Sequence, residues 1–361
     1  MVLGLLAASN AHGQGAVLMK LGSLYPSGNL TVSAINTSGN VLGISTTDAK
    51  GDTANVIFVH DVATNLGNPL STVTSFNNSN TLAGSINVSG GIIHVATYSS
   101  GVVTDLGSQG GSFGFGYGIN NSGEVTGYTY KSGNINAFLY NGTSISNIGP
   151  NTGIGVAIND AGQIAGTFTN SGNHSEAFLY DGSSITHLGM LSGDNYSSPS
   201  GINSLGDIVG VSGVVNTTTS LDGFLYTAGS MSNLGHLGTG TKLTPTAINS
   251  SGTIVGSGTI DPSGTQTDAF IFWGGALFDL NTFLGSSVLT AGGFQYLNNA
   301  IGINDNGLII GTGYDLNGNL IGFELVPEPG ASAILAGAGV LAVAGWRRRR
   351  SKNSAPGPSQ S

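Results

Sequence analysis

The chain has 361 residues, 61 Gly and no Cys, and charged residues make up only 7% against roughly 25% in ordinary soluble domains. Without Cys there is no disulfide scaffold, no Cys-ligated zinc or iron–sulfur site and no thiol nucleophile; without a G-X-Y period the Gly excess is not collagen. Up to residue 330 only Lys20, Lys50, Lys131 and Lys242 face 18 acids, a formal −14, which excludes nucleic acid as a partner because there is almost nothing to hold its phosphates.

At the N-terminal end, Val2 to Ala8 is a short apolar run followed by the small-x-small patterns Ser9-Asn10-Ala11 and Ala11-His12-Gly13. Residues 1–13 therefore read as the remnant of a secretory signal peptide. The run is too short and lacks a basic n-region, so the true start is expected upstream.

A repeat domain is expected over residues 14–325. A small or aliphatic residue, then Ile-Asn-x-x-Gly, then three residues and Gly, recurs seven times, with the Asn at 36, 77, 120, 159, 203, 249 and 304. Unit two is the weakest copy, with Phe76 for Ile and Asn80 for the first Gly. Steps of 41, 43, 39, 44, 46 and 55 residues signal a repeat architecture. In this turn Asn36, Asn77, Asn120, Asn159, Asn203, Asn249 and Asn304 are structural: the side chain bonds its own turn backbone, and Gly takes the positive-φ position. Each unit has a second signature, Ala-Phe-Leu-Tyr, a polar turn, then a strand ending Leu-Gly, as in Ala137-Phe138-Leu139-Tyr140 and Ala177-Phe178-Leu179-Tyr180. Unit one matches with Ile57-Phe58-Val59-His60 and unit two with Val95-Ala96. Asn141-Gly142 and Asp181-Gly182 between β-prone runs mark hairpins.

Four short strands per unit predict an all-β fold, a seven-bladed β-propeller, with a β-solenoid as the alternative. The ends are complementary. Val17 to Leu21-Gly22 is a Leu-Gly strand without a partner, and Ile321-Gly322-Phe323-Glu324-Leu325 is an Ala-Phe-Leu-Tyr-like strand without a Leu-Gly strand. One blade built from both termini would close the ring and remove its exposed edges. The 55-residue step inserts material around Asn281 to Leu297, with Phe283, Phe294 and Tyr296, where a ligand-contacting loop is expected.

The C-terminal end carries Val326-Pro327-Glu328-Pro329, an uncharged run from Gly330 to Trp346, Arg347-Arg348-Arg349-Arg350, and a tail at 351–361 expected to be disordered. As a helix, 330–346 would span roughly 25 Å, the short end of a transmembrane crossing, with Trp346 at the interface and the arginines as a positive-inside stop. The order Pro327, Glu328, Pro329, helix and arginine cluster over 326–350 resembles the PEP-CTERM sorting signal of Gram-negative bacteria. That resemblance implies processing by a membrane-embedded exosortase. Residues ~17–325 resemble the extracellular HAF-family repeat, named for His-Ala-Phe. Here Asn136, Glu176, Asp222 and Asp268 stand in the His place, and only His94 keeps it, before Val95-Ala96. The family implies an exported surface or matrix protein and brings no catalytic residues.

Chemistry is sparse. The six His (12, 60, 94, 174, 187 and 236) form no zinc-type pair. Gly110-Gly111-Ser112-Phe113-Gly114 spells a nucleophile elbow without its helix. Asp160, Asp207 and Asp305 near the Asn turns, and Asp61 and Asp181 in hairpins, are hard oxygen donors suited to Ca²⁺, although no Asp-x-Asp-x-Asp loop exists. Catalytic and metal residues are therefore assigned to none. Phe138, Phe178, Phe224 and Phe270 read as repeated core. The expectation is a non-enzymatic structural or binding protein, exported, anchored transiently in the inner membrane, then placed at the cell surface or in a biofilm matrix with extracellular polysaccharide. The alternatives are a carbohydrate-active hydrolase or lyase on the same scaffold, marked by clustered acids with Tyr in the central funnel, and a metal- or ligand-binding module.

Overall fold

The computed structural model describes residues 8–9, 15–25, 28–59, 62–149, 152–215 and 220–327. Glu328, Pro329, the 330–346 run, Arg347 to Arg350, the tail, most of 1–13, His12, His60 and Asp61 lie outside the described residues. Among the described residues no helix is long and apolar enough to cross a membrane.

The strands of the described residues form six hydrogen-bonded sheets. Four have four strands in sequence order, as in Leu30–Ile35, Val41–Thr46, Thr53–Val59 and Val62–Gly67 of unit one. Units four, five and six repeat this plan, with first strands Ile154–Ile158, Tyr196–Ile202 and Leu243–Ile248. An eight-stranded sheet is two such meanders, begun by Thr72–Phe76 and by Phe113–Ile119, joined by one parallel residue pair, Phe113 with Ile93. The last sheet takes Phe294–Ile303, Ile309–Asp315 and Leu320–Pro327 from one end of the chain and Gly15–Lys20 from the other. The first strands of the units pack on one another in cyclic order, the seventh against the first.

Each first strand turns into its second at an Asn-x-x-Gly, with Asn80 for the Gly in unit two, and each carries a bulge just before that turn, at Ser33, Thr74, Tyr117, Val156, Ser200, Thr246 and Ile301. A bulge bends the strand and re-aims a side chain. Here the Oγ atoms of Thr74, Ser200 and Thr246 donate to the next unit's first strand, at Gly116, Pro245 and Ala300, over 2.6–2.8 Å. The second glycine of the motif faces that bulge. A Cβ on Gly43, Gly84, Gly127, Gly166, Gly210, Gly256 or Gly311 would collide with a first-strand carbonyl. This glycine is therefore kept for close approach of two backbones.

Phe138, Phe178, Phe224, Phe270 and Phe323 pair with these glycines across the second and third strands and are fully buried. The Phe series is core. In unit one the register corrects the alignment read from sequence: Gly43 pairs with Val56, so Asn55-Val56-Ile57-Phe58 holds the Ala-Phe-Leu-Tyr place. Asn55 then pairs with Gly67 as Ala177 does with Gly189, so the unit-one hairpin has the common length, and the two-residue shortfall came from matching Phe58 to the signature Phe.

The closing strand makes the expected Leu-Gly contacts. Leu18 pairs with Leu325 and Lys20 with Phe323, and the Leu21 N–H donates to the Gly322 carbonyl. Lys20 Nζ also reaches the buried Asp315 carboxylate at 3.7 Å. Pairing runs past the expected boundary at 325, through Val326–Val17 and Pro327–Ala16. Ala8–Ser9, inside the segment read as leader, adds a short fifth strand.

The insertion after unit six folds as two short helices, α1 (Leu280–Leu284) and α2 (Ser286–Gly292). Asp279 caps α1 by accepting from the Asn281 N–H, and α2 packs on the closing strand. Phe283 and Phe294 are buried with Leu280, Val288 and Leu289 in the core of the last two units. Two of the three aromatics expected to contact ligand are thus packing residues. Tyr296 is half-buried and stacks on Tyr314 at 5.0 Å.

Candidate functional site

The seven turn asparagines converge at one end of the central channel. Each is only 3–6% exposed. The Oδ1 of each accepts from one or two N–H groups two and four residues on, as in Leu205 and Asp207 for Asn203. Each Nδ2 donates to the carbonyl of the next unit's asparagine at 2.9–3.3 Å, from Asn36 to Asn77 and on to Asn304. Asn304 then donates to Asn36, 268 residues away. A buried amide costs free energy unless it is paired; here both ends of all seven are paired, and the pairing forms a closed cycle. The turn half of this arrangement was readable from sequence. The cross-unit half was missed, because no local pattern records which carbonyl lies beyond the turn.

This ring sits between two others and lines a cavity of about 250 Å³. Behind it lie the residues that precede each Asn: Ile35, Phe76, Ile119, Ile158, Ile202, Ile248 and Ile303. In front lie the residues that follow each Asn, and these differ in chemistry: Thr37, Asn78, Asn121, Asp160, Ser204, Ser250 and Asp305.

The front ring divides into two arcs. From unit one to unit four it is laced together. Asn78, Asn121 and Asp160 each accept, through Oδ1, from the N–H of the residue one unit earlier, at 2.8–3.0 Å. Asn121 Nδ2 donates to Asp160 Oδ2 at 2.8 Å, and Asn78 Nδ2 donates to Thr37 Oγ1. From unit five to unit seven a single bond of this kind remains, Ser250 N–H to Asp305 Oδ1 at 2.8 Å. Among the described residues, Ser204, Ser250 and the second oxygen of Asp305 keep their side-chain bonding capacity.

The other acids of interest serve the scaffold. Asp207 Oδ2 accepts from Asn203 Nδ2. Asp181 accepts from the N–H and hydroxyl groups of Ser183 and Ser184, and backbone donation from Ser184 leads in holding its carboxyl far below the usual range. Among the described residues no three His, Asp or Glu stand together as a metal-binding group. Gly110 to Gly114 enters the strand Phe113–Ile119, so the elbow-like run has no following helix.

Among the described residues, three histidines pair with acids across the third and fourth strands. His94 lies 2.8 Å from Asp105, His236 3.0 Å from Asp222 and His187 3.6 Å from Glu176. In unit two the His holds the place before the third-strand signature; in units four and five an acid holds it and the His lies on or just after the fourth strand. The pair is retained with its members exchanged.

Asp268 holds that same place in unit six and is 5% exposed. Burial pushes its carboxyl above the usual range, against a bond from Gln266 Nε2, with the Asp279 charge adding to the rise. A raised folded-state pKa gives stability that is present below the unfolded pKa and lost as pH rises through the folded one. Asp268→Asn is therefore expected to raise Tm at neutral pH, with the gain vanishing in acid. Tm measured across that range checks this; a gain that grows in acid contradicts it.

No protein-family model and no curated protein matches the sequence. Solved structures do resemble the fold. The β-propeller domain of the Trilobed protease from Pyrococcus furiosus, described as having an open velcro topology, is 11% identical, with 71% of this chain and 85% of that chain covered and a TM-score of 0.50. The acylaminoacyl peptidase of Pyrococcus horikoshii is 8% identical over 80% of this chain, with a TM-score of 0.50, and this chain covers 49% of it, about half its length. A gluconolactonase from Xanthomonas campestris is 8% identical, with 88% and 91% covered and a TM-score of 0.43. At such identities the first two likenesses speak for the fold alone: this chain is an all-β assembly of four-stranded sheets of the β-propeller kind.

Proposed function

We propose that the chain is a closed seven-bladed β-propeller exported to the cell surface or extracellular matrix, where it acts as a non-enzymatic binding and structural module. The observation that carries the reading is the closed asparagine cycle. It commits the polar groups that recur once per unit to joining blades and leaves the variable front ring as the surface that differs from unit to unit. The channel lining favours binding over hydrolysis. Its acids, Asp160 and Asp305, stand three units apart, Asp160 has both oxygens engaged by Asn121, and no Tyr joins them among the lining residues. The HAF-like repeats and the PEP-CTERM-like segment supply the address: passage through the inner membrane and release by an exosortase-type enzyme acting near Pro327-Glu328-Pro329, with Arg347 to Arg350 as the membrane stop.

Fractionation of the native protein with C-terminal mass mapping tests this address. The mature chain is expected outside the inner membrane, ending near the Pro-Glu-Pro. Replacement of Pro327, Glu328 and Pro329 by Ala should retain an unprocessed chain in the membrane; unchanged processing and location would overturn the sorting reading.

A further inference from the structure

The two arcs of the front ring differ in what they leave open. Thr37, Asn78, Asn121 and Asp160 spend their side chains on one another and on each other's backbone. Ser204, Ser250 and Asp305 sit at the same ring level in consecutive units and present two hydroxyls and one free carboxylate oxygen to the cavity. We propose that this open arc, flanked by Asp160, is a recognition site for the hydroxyl-bearing end of a neutral saccharide. The inference rests on the binding reading above and names its ligand class.

Three features select that class. First, the cavity of about 250 Å³ equals roughly eight waters at ~30 Å³ each, room inside for one sugar ring. Second, its lining carries both kinds of surface. Ile202, Ile248 and Ile303 are packed largely into the blade cores, and their tips line the cavity behind the same three units whose front positions carry hydroxyl, hydroxyl and carboxylate. A pyranose can set its C–H groups against those tips while its hydroxyls meet Ser204, Ser250 and Asp305. A carboxylate only accepts, so it calls for donors, which neighbouring sugar hydroxyls supply. Third, the lining contains two acids and no basic residue, and the body is strongly acidic. A uronate or phosphate would enter against that field without a cation to meet it.

The full-length chain in mild detergent can be probed by saturation-transfer NMR and calorimetry with cellobiose, maltose and di-N-acetylchitobiose as neutral probes, and with digalacturonate and glucosamine as anionic and cationic comparators. At least one neutral disaccharide is expected to bind, and digalacturonate is not. Ser204→Ala/Ser250→Ala and Asp305→Asn should each weaken that binding at least tenfold. Tm should stay near wild type in the serine variant, because the asparagine cycle does not use these hydroxyls. Binding untouched by both variants, binding of no neutral probe, or preference for glucosamine or digalacturonate would overturn the proposal. Release of monosaccharide from a bound disaccharide would overturn the non-enzymatic reading while leaving the site in place. Loss of Pro-Glu-Pro-dependent location would touch the address alone.

Discussion

Asn203→Ala is expected to destabilise the fold by about 3–5 kcal/mol, far more than an ordinary surface Asn. The side chain makes four bonds: it accepts from the Leu205 and Asp207 N–H groups and donates to Asp207 Oδ2 and to the Asn249 carbonyl. Leaving a buried donor or acceptor unmade costs roughly 1–3 kcal/mol each, and those nearest the channel recover part of this from water. Asn203→Asp separates the two halves of the role. It keeps the acceptor that shapes the turn, loses the donor that reaches unit six, and sets a negative charge against the Asn249 carbonyl and Asp207. Urea unfolding of both variants checks the assignment. If the Asp variant matches wild type, the cross-unit bond contributes nothing; if the Ala variant does too, the cycle is ornament.

The second large effect separates the two glycines of the same motif. Gly252 has φ +80 and nothing near its missing Cβ, whereas a Cβ on Gly256 would fall 2.7 Å from Phe270 Cε1 and collide with the Thr244 carbonyl. The first position asks for a backbone conformation, the second for empty space. Unit two already shows the difference: Asn80 occupies the first position at φ 58, with its side chain accepting from Asn36 and Asn40. Gly252→Asn is therefore expected to change stability by less than ~1 kcal/mol, since Asn tolerates this region. Gly256→Ala should cost ~1–3 kcal/mol or more by overpacking. Phe270→Leu in the Gly256→Ala background should recover part of that loss, because it removes the one side-chain clash and leaves those with the Thr244 carbonyl and Pro245 Cα. Equal effects at Gly252 and Gly256 would contradict the distinction.

What could be read from the chain follows from how local each cause is. The Asn-x-x-Gly turns and the Asn141-Gly142 hairpin are short-range chemistry, and the structure has both. The complementary ends were readable because a half-blade is as recognisable as a whole one. Three things were not. The register of unit one was hidden because Val56 holds the signature Phe place opposite Gly43 while Phe58, two residues on, imitates it. The glycine opposite the bulge looks the same in sequence as the glycine in the turn, although one answers to φ and the other to a neighbouring carbonyl. The insertion did carry its signal: Leu280, Phe283, Leu284 and Val288 recur at helical spacing, which marks buried helices where an exposed binding loop was expected. The open arc at the channel mouth lay beyond sequence reasoning altogether, because it is defined by which neighbours fail to lace together around the ring.

The seam between Gly15–Lys20 and Leu320–Pro327 also fixes how the molecule bears load. Ala16 and Pro327 are paired neighbours at one end of antiparallel strands, with Ala8–Ser9 folded back beside Ala16, so the two strands of the seam start and stop at a single point. A pull between those ends would unzip the seam one hydrogen bond at a time instead of shearing all of them together. The asparagine bonds, by contrast, link every unit to the next around the ring. Handles at Ala16 and Pro327 are therefore expected to open the seam at a lower force than handles placed in two neighbouring central turns, which single-molecule force spectroscopy would read.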